Sequence, residues 1–206
     1  MDSALQVFAV DDDAIVLRAI ERMLRSHNIA VEGFTSPEAF LARPPYDGVA
    51  CLLLDLKMPG LSGLDVQTAM IANGISMPII FLSAQSDIPS TVRAMRGGAV
   101  DFLEKPVDEE KLLAALERAR LESISMRQQY QVQRDADQRL ARLTKREREV
   151  CDLVAAGLLN KQIAHELGMS EKTVKVHRGR VMAKLEVGSV AELVRLVDRV
   201  GTPTPA

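Results

Sequence analysis

The sequence contains no tryptophan and only two cysteines among 206 residues. Cys51 and Cys151 sit inside apolar patterns a hundred positions apart, so they read as buried reduced thiols, and neither has a neighbour at metal-ligand spacing. No apolar run approaches the ~18 residues of a membrane span, and the N-terminus lacks a basic region followed by a long apolar stretch. The expectation is a soluble, cytoplasmic chain with no membrane partner. Proline and glycine are both missing between Val107 and Ala156. That absence removes the two strongest helix breakers, and residues 108–140 are rich in the strong helix formers Leu, Ala, Glu, Gln and Arg. A helix begun near 108 is therefore expected to continue as a long linker. Leu112, Leu116, Ala119, Met126, Tyr130 and Leu140 form a seam on it, interrupted at Ser123, Gln133 and Asp137, which fits either an imperfect coiled-coil contact or a solvated spacer.

Large net charge is also lacking, but the total of −2 hides an asymmetry. Residues 1–120 carry 11 Lys/Arg against 17 Asp/Glu, residues 121–140 three of each, and residues 141–206 12 against 8. An acidic first part and a basic last part suit a cation-binding module joined to one that meets nucleic acid. These spans give the expected organisation: a first domain over 1–120, a helical linker over 121–140 and a second domain over 141–206.

The first domain contains short apolar runs separated by helical patterns at 14–26, 36–42, 63–73, 88–97 and from 108 onward. Breakers lie between them at Pro44-Pro45, Pro59-Gly60, Gly74, Gly97-Gly98 and Pro106. Runs of this kind indicate a parallel sheet covered on both faces, the α/β flavodoxin-like, doubly wound (βα)5 arrangement. Five residues close the runs: Asp11, Asp12, Asp55, Ser83 and Lys105. Ligands in such folds bind outside the carboxyl ends of the strands, so these groups are expected at one edge. Three carboxylates suit a hard cation such as Mg²⁺ or Mn²⁺, with Asp12 and Asp55 as direct ligands and Asp11 acting through water. A carboxylate left free could attack phosphorus, Ser83 could hydrogen-bond a phosphoryl oxygen, and Lys105 could pair with it as a point charge.

The second domain is expected to be all-α with four helices. Thr144 and Glu147 form a capping box for a helix through Ala156. Asn160 is expected to cap Lys161–Leu167, Ser170 to cap Glu171–Leu185, and Ser189 to open Val190–Val200. Two helices joined by Gly168-Met169-Ser170 make a helix-turn-helix. At 100° per residue, Val174, Val181 and Leu185 of the third helix face the core. Lys172, Lys175, Val176, Gly179, Arg180 and Ala183 face outward. Lys175, Val176 and Arg180 are candidates for base edges, and Lys161, Lys172, Thr173 and Arg178 for phosphates. Gly179 costs ~1 kcal/mol in a helix; close approach to DNA or packing would explain it.

Val10-Asp11-Asp12-Asp13, Leu54-Asp55-Leu56-Lys57-Met58-Pro59-Gly60 and Leu103-Glu104-Lys105-Pro106 resemble a bacterial two-component receiver domain. Leu143-Thr144-Lys145-Arg146-Glu147-Arg148-Glu149-Val150 and Thr173-Val174-Lys175-Val176-His177-Arg178 resemble a LuxR-type DNA-binding domain. Together the chain is similar to response regulators of the FixJ/NarL family. The resemblance implies that Asp55 accepts a phosphoryl group from a sensor histidine kinase, with the metal on Asp12, Asp55 and the Lys57 carbonyl. It implies Ser83 and Phe102 as switch residues, a cis peptide at Lys105-Pro106, and Lys57 and Gln85 as positions that tune dephosphorylation. The expected action is phosphorylation-driven homodimerisation around 88–97 and 100–104, binding to promoter DNA through 171–185, and contact with RNA polymerase. The receiver would assist only its own phosphoryl transfer and loss.

Three other readings compete. A metal-dependent phosphatase using Asp55 as nucleophile would need the second carboxylate of a D-x-D motif, which Asp55-Leu56-Lys57 lacks. A LuxR-type regulator sensing a small ligand would need an enclosed pocket and would leave the strand-end acids unexplained. A receiver that works unphosphorylated is the third.

Overall fold

In this computed structural model, residues 4–84 and 88–201 are described. The first unit alternates strand and helix: β1 (Gln6–Val10), α1 (Ala14–Ser26), β2 (Ala30–Phe34), α2 (Pro37–Leu41), β3 (Ala50–Asp55), α3 (Gly63–Ala72), β4 (Ile79–Ser83), α4 (Ile88–Arg96), β5 (Asp101–Glu104) and the start of α5 (Glu109–Ala141). The strands are parallel in the order β2-β1-β3-β4-β5. Because successive strand residues point to opposite faces, alternate positions along each strand feed two cores. Val7, Ala9, Cys51, Leu53, Ile80 and Leu82 meet Leu17, Ile20, Leu24, Leu112 and Leu116 of α1 and α5. Phe8, Val10, Leu52, Leu54 and Phe81 meet Phe40, Val66, Met70 and Ala94 of α2, α3 and α4. Every residue of β3 is buried, as a central strand requires, whereas β2 lies at the sheet edge with Ala30 and Glu32 exposed.

Side-chain caps set the helix starts. Asp13 Oδ1 accepts from the Ile15 N–H at 2.7 Å, and Ser62 with Asp65 forms a capping box on α3. In α5, Ser123 is buried: its Oγ accepts from the Ala50 N–H at 3.1 Å. Four residues on, Arg127 Nη1 donates to Asp47 Oδ1 at 2.9 Å and to the Gly48 carbonyl at 3.1 Å.

The chain divides between Arg127 and Gln128. The second unit holds the rest of α5 with α6 (Lys145–Ala155), α7 (Asn160–Leu167), α8 (Glu171–Leu185) and α9 (Val190–Gly201). Ala136 and Leu140 of α5 join Val150, Cys151, Ile163, Val174, Val181, Leu185 and Leu193 in its core. The seam expected on α5 is therefore not continuous: Leu112, Leu116 and Ala119 are buried against the sheet, Tyr130 is exposed, and Leu140 belongs to the second core. Thr144, Ser170 and Ser189 each accept from a backbone N–H three residues on. Asn160 does not cap α7. The N-cap is Leu159, whose N–H donates to Gln162 Oε1 at 2.8 Å, and Asn160 is the first helical residue, with its Oδ1 accepting from Arg178. Both cysteines are fully buried, and burial pushes the Cys51 thiol up to about 12 and that of Cys151 up to about 11. Among the described residues no helix is long and apolar enough to cross a membrane.

Candidate functional site

The carboxyl edge of the sheet gathers the five strand-end residues. Asp11 follows β1 and is buried; its Oδ1 accepts from the Asp13 N–H at 3.0 Å. Asp12 beside it is exposed. Asp55 ends β3 at 5% exposure. One carboxylate oxygen from each of the three lies within 4.8 Å of the others. Lys105 Nζ reaches into the cluster, 2.6 Å from Asp11 Oδ2 and 2.8 Å from Asp55 Oδ1. Its backbone N–H donates to the Ser83 carbonyl at 2.7 Å, which closes the β4–β5 ladder at the Ser83–Glu104 pair and holds the start of the Lys105 segment against the end of β4. Ser83 is buried and has a polar partner, and the Lys105-Pro106 peptide is cis.

Burial raises the Asp55 pKa, because water no longer solvates the anion. The Lys105 hydrogen bond and charge oppose that rise, and the neighbouring Asp11 and Asp12 charges add to it. Burial also pulls the Lys105 ammonium down, but its bonds to Asp11 and Asp55 and their charges outweigh burial and leave its pKa raised. The edge thus holds three carboxylates and a cation fixed between two of them, an oxygen-rich set suited to a hard divalent ion. Lys57 is exposed two residues beyond Asp55. Phe102 is half-buried, its ring stacked on Phe81 at 6.5 Å. Gln85 lies outside the described residues.

Two supporting residues escaped the sequence reading. Gly63 opens α3 so tightly against the end of β3 that an added Cβ would stand 2.4 Å from the Asp55 carbonyl oxygen. The helix expected at 63–73 does start there, but nothing in the run of residues signals how closely its first turn approaches β3. Gln67 is buried, and its Nε2 donates to the carbonyls of Ala94 at 3.3 Å and Gly97 at 2.9 Å, tying α3 to the end of α4.

The basic candidates lie in the second unit. Gly168, in the left-handed region at φ 62°, ends α7 and turns the chain into α8. Val174, Val181 and Leu185 are buried, while Lys172, Thr173, Lys175, Val176, Gly179, Arg180 and Ala183 are exposed, as is Lys161 on α7. The exposed face of α8 is thus basic and small-featured between Lys172 and Ala183. Two polar candidates have partners within the unit: the Thr173 hydroxyl lies 2.8 Å from that of Ser170, and Arg178 Nη1 donates to Asn160 Oδ1 at 3.0 Å. His177 is half-buried.

Comparison with known proteins agrees with this division. Residues 7–117 match the family model "Response regulator receiver domain", and residues 141–197 match "Bacterial regulatory proteins, luxR family". Nodulation protein W of Bradyrhizobium diazoefficiens is 43% identical over 195 residues, 95% of this chain and 86% of that protein. Response regulator protein TodT of Pseudomonas putida is 42% identical over 198 residues, 96% of this chain and 87% of its own. Among solved structures, the response regulator StyR is similar at 44% identity and a TM-score of 0.78, covering 95% of this chain and 99% of that one.

Proposed function

The chain belongs to the two-component response regulators that join a receiver to a LuxR-family DNA-binding domain, the FixJ/NarL arrangement, and from that premise we propose that Asp55 is the phosphoacceptor that controls DNA binding by α8. A response regulator of this build acts as a transcription factor. It implies a histidine kinase and DNA as partners and is not an enzyme in the usual sense. The observation that carries the proposal is the Lys105 ammonium 2.8 Å from the Asp55 carboxylate within the three-acid cluster.

Asp11, Asp12, Asp55 and the Lys57 carbonyl would hold Mg²⁺ or Mn²⁺, because closely spaced oxygen donors suit a hard cation. Bound there, the cation neutralises charge as a phosphoryl group approaches the acids. An Asp55 oxygen attacks the phosphorus of a kinase phosphohistidine; the P–O bond forms as the P–N bond breaks, and the imidazole leaves with the electron pair. Lys105 pairs with one phosphoryl oxygen, and the Ser83 hydroxyl donates to another. Phe102 responds by repacking. The same groups assist the later hydrolysis of the aspartyl phosphate.

Phosphorylation favours the receiver state that pairs two chains through α4 and β5. α4 exposes Ile88, Val92 and Met95 to 80%, 41% and 44%. The dimer sets two α8 helices on half-sites one DNA turn apart, with α9 as a second contact and RNA polymerase as the partner at the promoter. Labelling with a small phosphodonor and Mg²⁺ tests the first step: the parent chain gains acid-labile phosphate and Asp55→Asn gains none. Stoichiometric label on that variant would sink the assignment. Duplexes selected with and without beryllofluoride test the second, with enrichment expected only in its presence.

A further inference from the structure

The exposed face of α8 carries a residue that the fold does not require. Gly179 lies inside a regular helix, where glycine loses more backbone freedom than alanine. Helical glycines are commonly explained by a left-handed φ or by a neighbour too close for a side chain. Gly179 has no positive φ, and a Cβ built on it meets no atom within 4 Å. Gly63 is the contrasting case, with backbone 2.4 Å from its would-be Cβ. Packing within the chain therefore does not account for Gly179.

Its neighbours supply the other explanation. One turn before it on the same face are Lys175 and Val176; Arg180 follows, and Ala183 lies one turn beyond, all of them exposed. Val176 is 47% exposed, with the cations Lys175 and Arg180 beside it on the helix. We infer that Gly179 is the point where the α8 backbone comes closest to DNA, and that its missing side chain sets how deeply the helix seats in the major groove. The inference rests on the DNA-reading role assigned above to α8. A helix with its side chains is ~10–12 Å across, while the major groove is about 12 Å wide. Depth is therefore decided by the residues on the leading line. With no Cβ at 179, the stems of Lys175 and Arg180 reach base edges, and the Val176 methyls reach a thymine methyl. A side chain at 179 lifts all three together.

The test uses the full chain with beryllofluoride and Mg²⁺, a duplex selected by the parent chain, and a scrambled duplex of the same length. Gly179→Ala should raise the thermal midpoint of the second unit by about 4 °C, because the helix gains and nothing obstructs the methyl group. The same variant should bind the selected duplex about tenfold more weakly, with binding to the scrambled duplex unchanged, because non-specific complexes rest on phosphates. Gly179→Leu should lose more affinity still. Parent-like affinity of both variants for the selected duplex overturns the inference while leaving the DNA-reading role intact. A lowered midpoint for Gly179→Ala, or equal losses on both duplexes, also overturns it. Failure of the parent chain to select any duplex overturns the role and the inference together.

Discussion

Ser123 of α5 accepts, through its buried hydroxyl, a hydrogen bond from the backbone N–H of Ala50 at the head of β3. This polar residue on α5 gives the first N–H of the central strand a partner. Ser123→Ala would leave a buried N–H without a partner, at a cost of ~1–3 kcal/mol. Urea unfolding of the receiver should register that loss, and an unchanged midpoint would show that the bond contributes nothing.

Gly63→Ala should harm the site without touching its chemistry. The added Cβ would press on the Asp55 carbonyl, 2.4 Å away, and on the Phe81 ring at 3.0 Å. Overpacking of this kind costs ~1–3 kcal/mol, and a displaced Asp55 should slow labelling by a phosphodonor. Wild-type labelling kinetics would show that the start of α3 can give way freely.

Lys105→Ala removes the cation that offsets two buried carboxylates, Asp11 and Asp55. Without divalent ions at neutral pH the variant should lose ~3 kcal/mol of stability, and Mg²⁺ should restore much of it. Phosphodonor labelling should persist, but sedimentation should find no phosphorylation-dependent dimer. A normal dimer would refute Lys105 as the link between phosphate and assembly.

Glu147 accepts from Lys184 Nζ at 2.6 Å and from the Thr144 N–H at 2.9 Å, bonds that hold its carboxyl at about 2, below the usual 4.5. A carboxyl whose folded pKa is depressed stabilises the fold fully above its unfolded value and loses that contribution as pH falls through the folded one. Glu147→Gln should therefore cost ~1 kcal/mol at pH 7, less than the full shift would give because the Lys184 partner is partly exposed and screened by water, with the difference from the parent shrinking between about pH 5 and pH 2. Melting both proteins across that range cancels the other carboxylates. Parallel curves would remove Glu147 as the source.

On α8, Arg180→Ala should cost ~1–3 kcal/mol at a selected site and relax preference at one position per half-site. Lys172→Ala should weaken binding to all sequences and flatten the salt dependence by about one charge. Exchange of these outcomes would show that the DNA-facing side of α8 is rotated from the one assigned.

The strand-end cluster was legible because, in a parallel sheet, every apolar run ends at the same edge, so the order of Asp11, Asp55, Ser83 and Lys105 already implied their meeting. The caps at Thr144, Ser170 and Ser189 were legible because cap and acceptor are only three residues apart. Ser123 read as a flaw in a seam because its partner lies 73 residues away, and no local pattern encodes that bond. Asn160 was misplaced for a similar reason: its side chain is engaged by Arg178 across the helix-turn-helix, while Gln162 satisfies the helix start. The exposure of β2 follows from its place at the sheet edge, which the run of residues alone did not fix.

The two thiols give each half of the chain its own built-in reporter. Cys51 and Cys151 are each fully buried in a different core, with pKa values near 12 and 11, so folded protein presents almost no thiolate at neutral pH. A thiol-alkylating reagent can then act on either position only as fast as the surrounding core opens. Mass analysis of which cysteine is modified first would rank the opening rates of the two units within one intact molecule, with no substitution in the sequence.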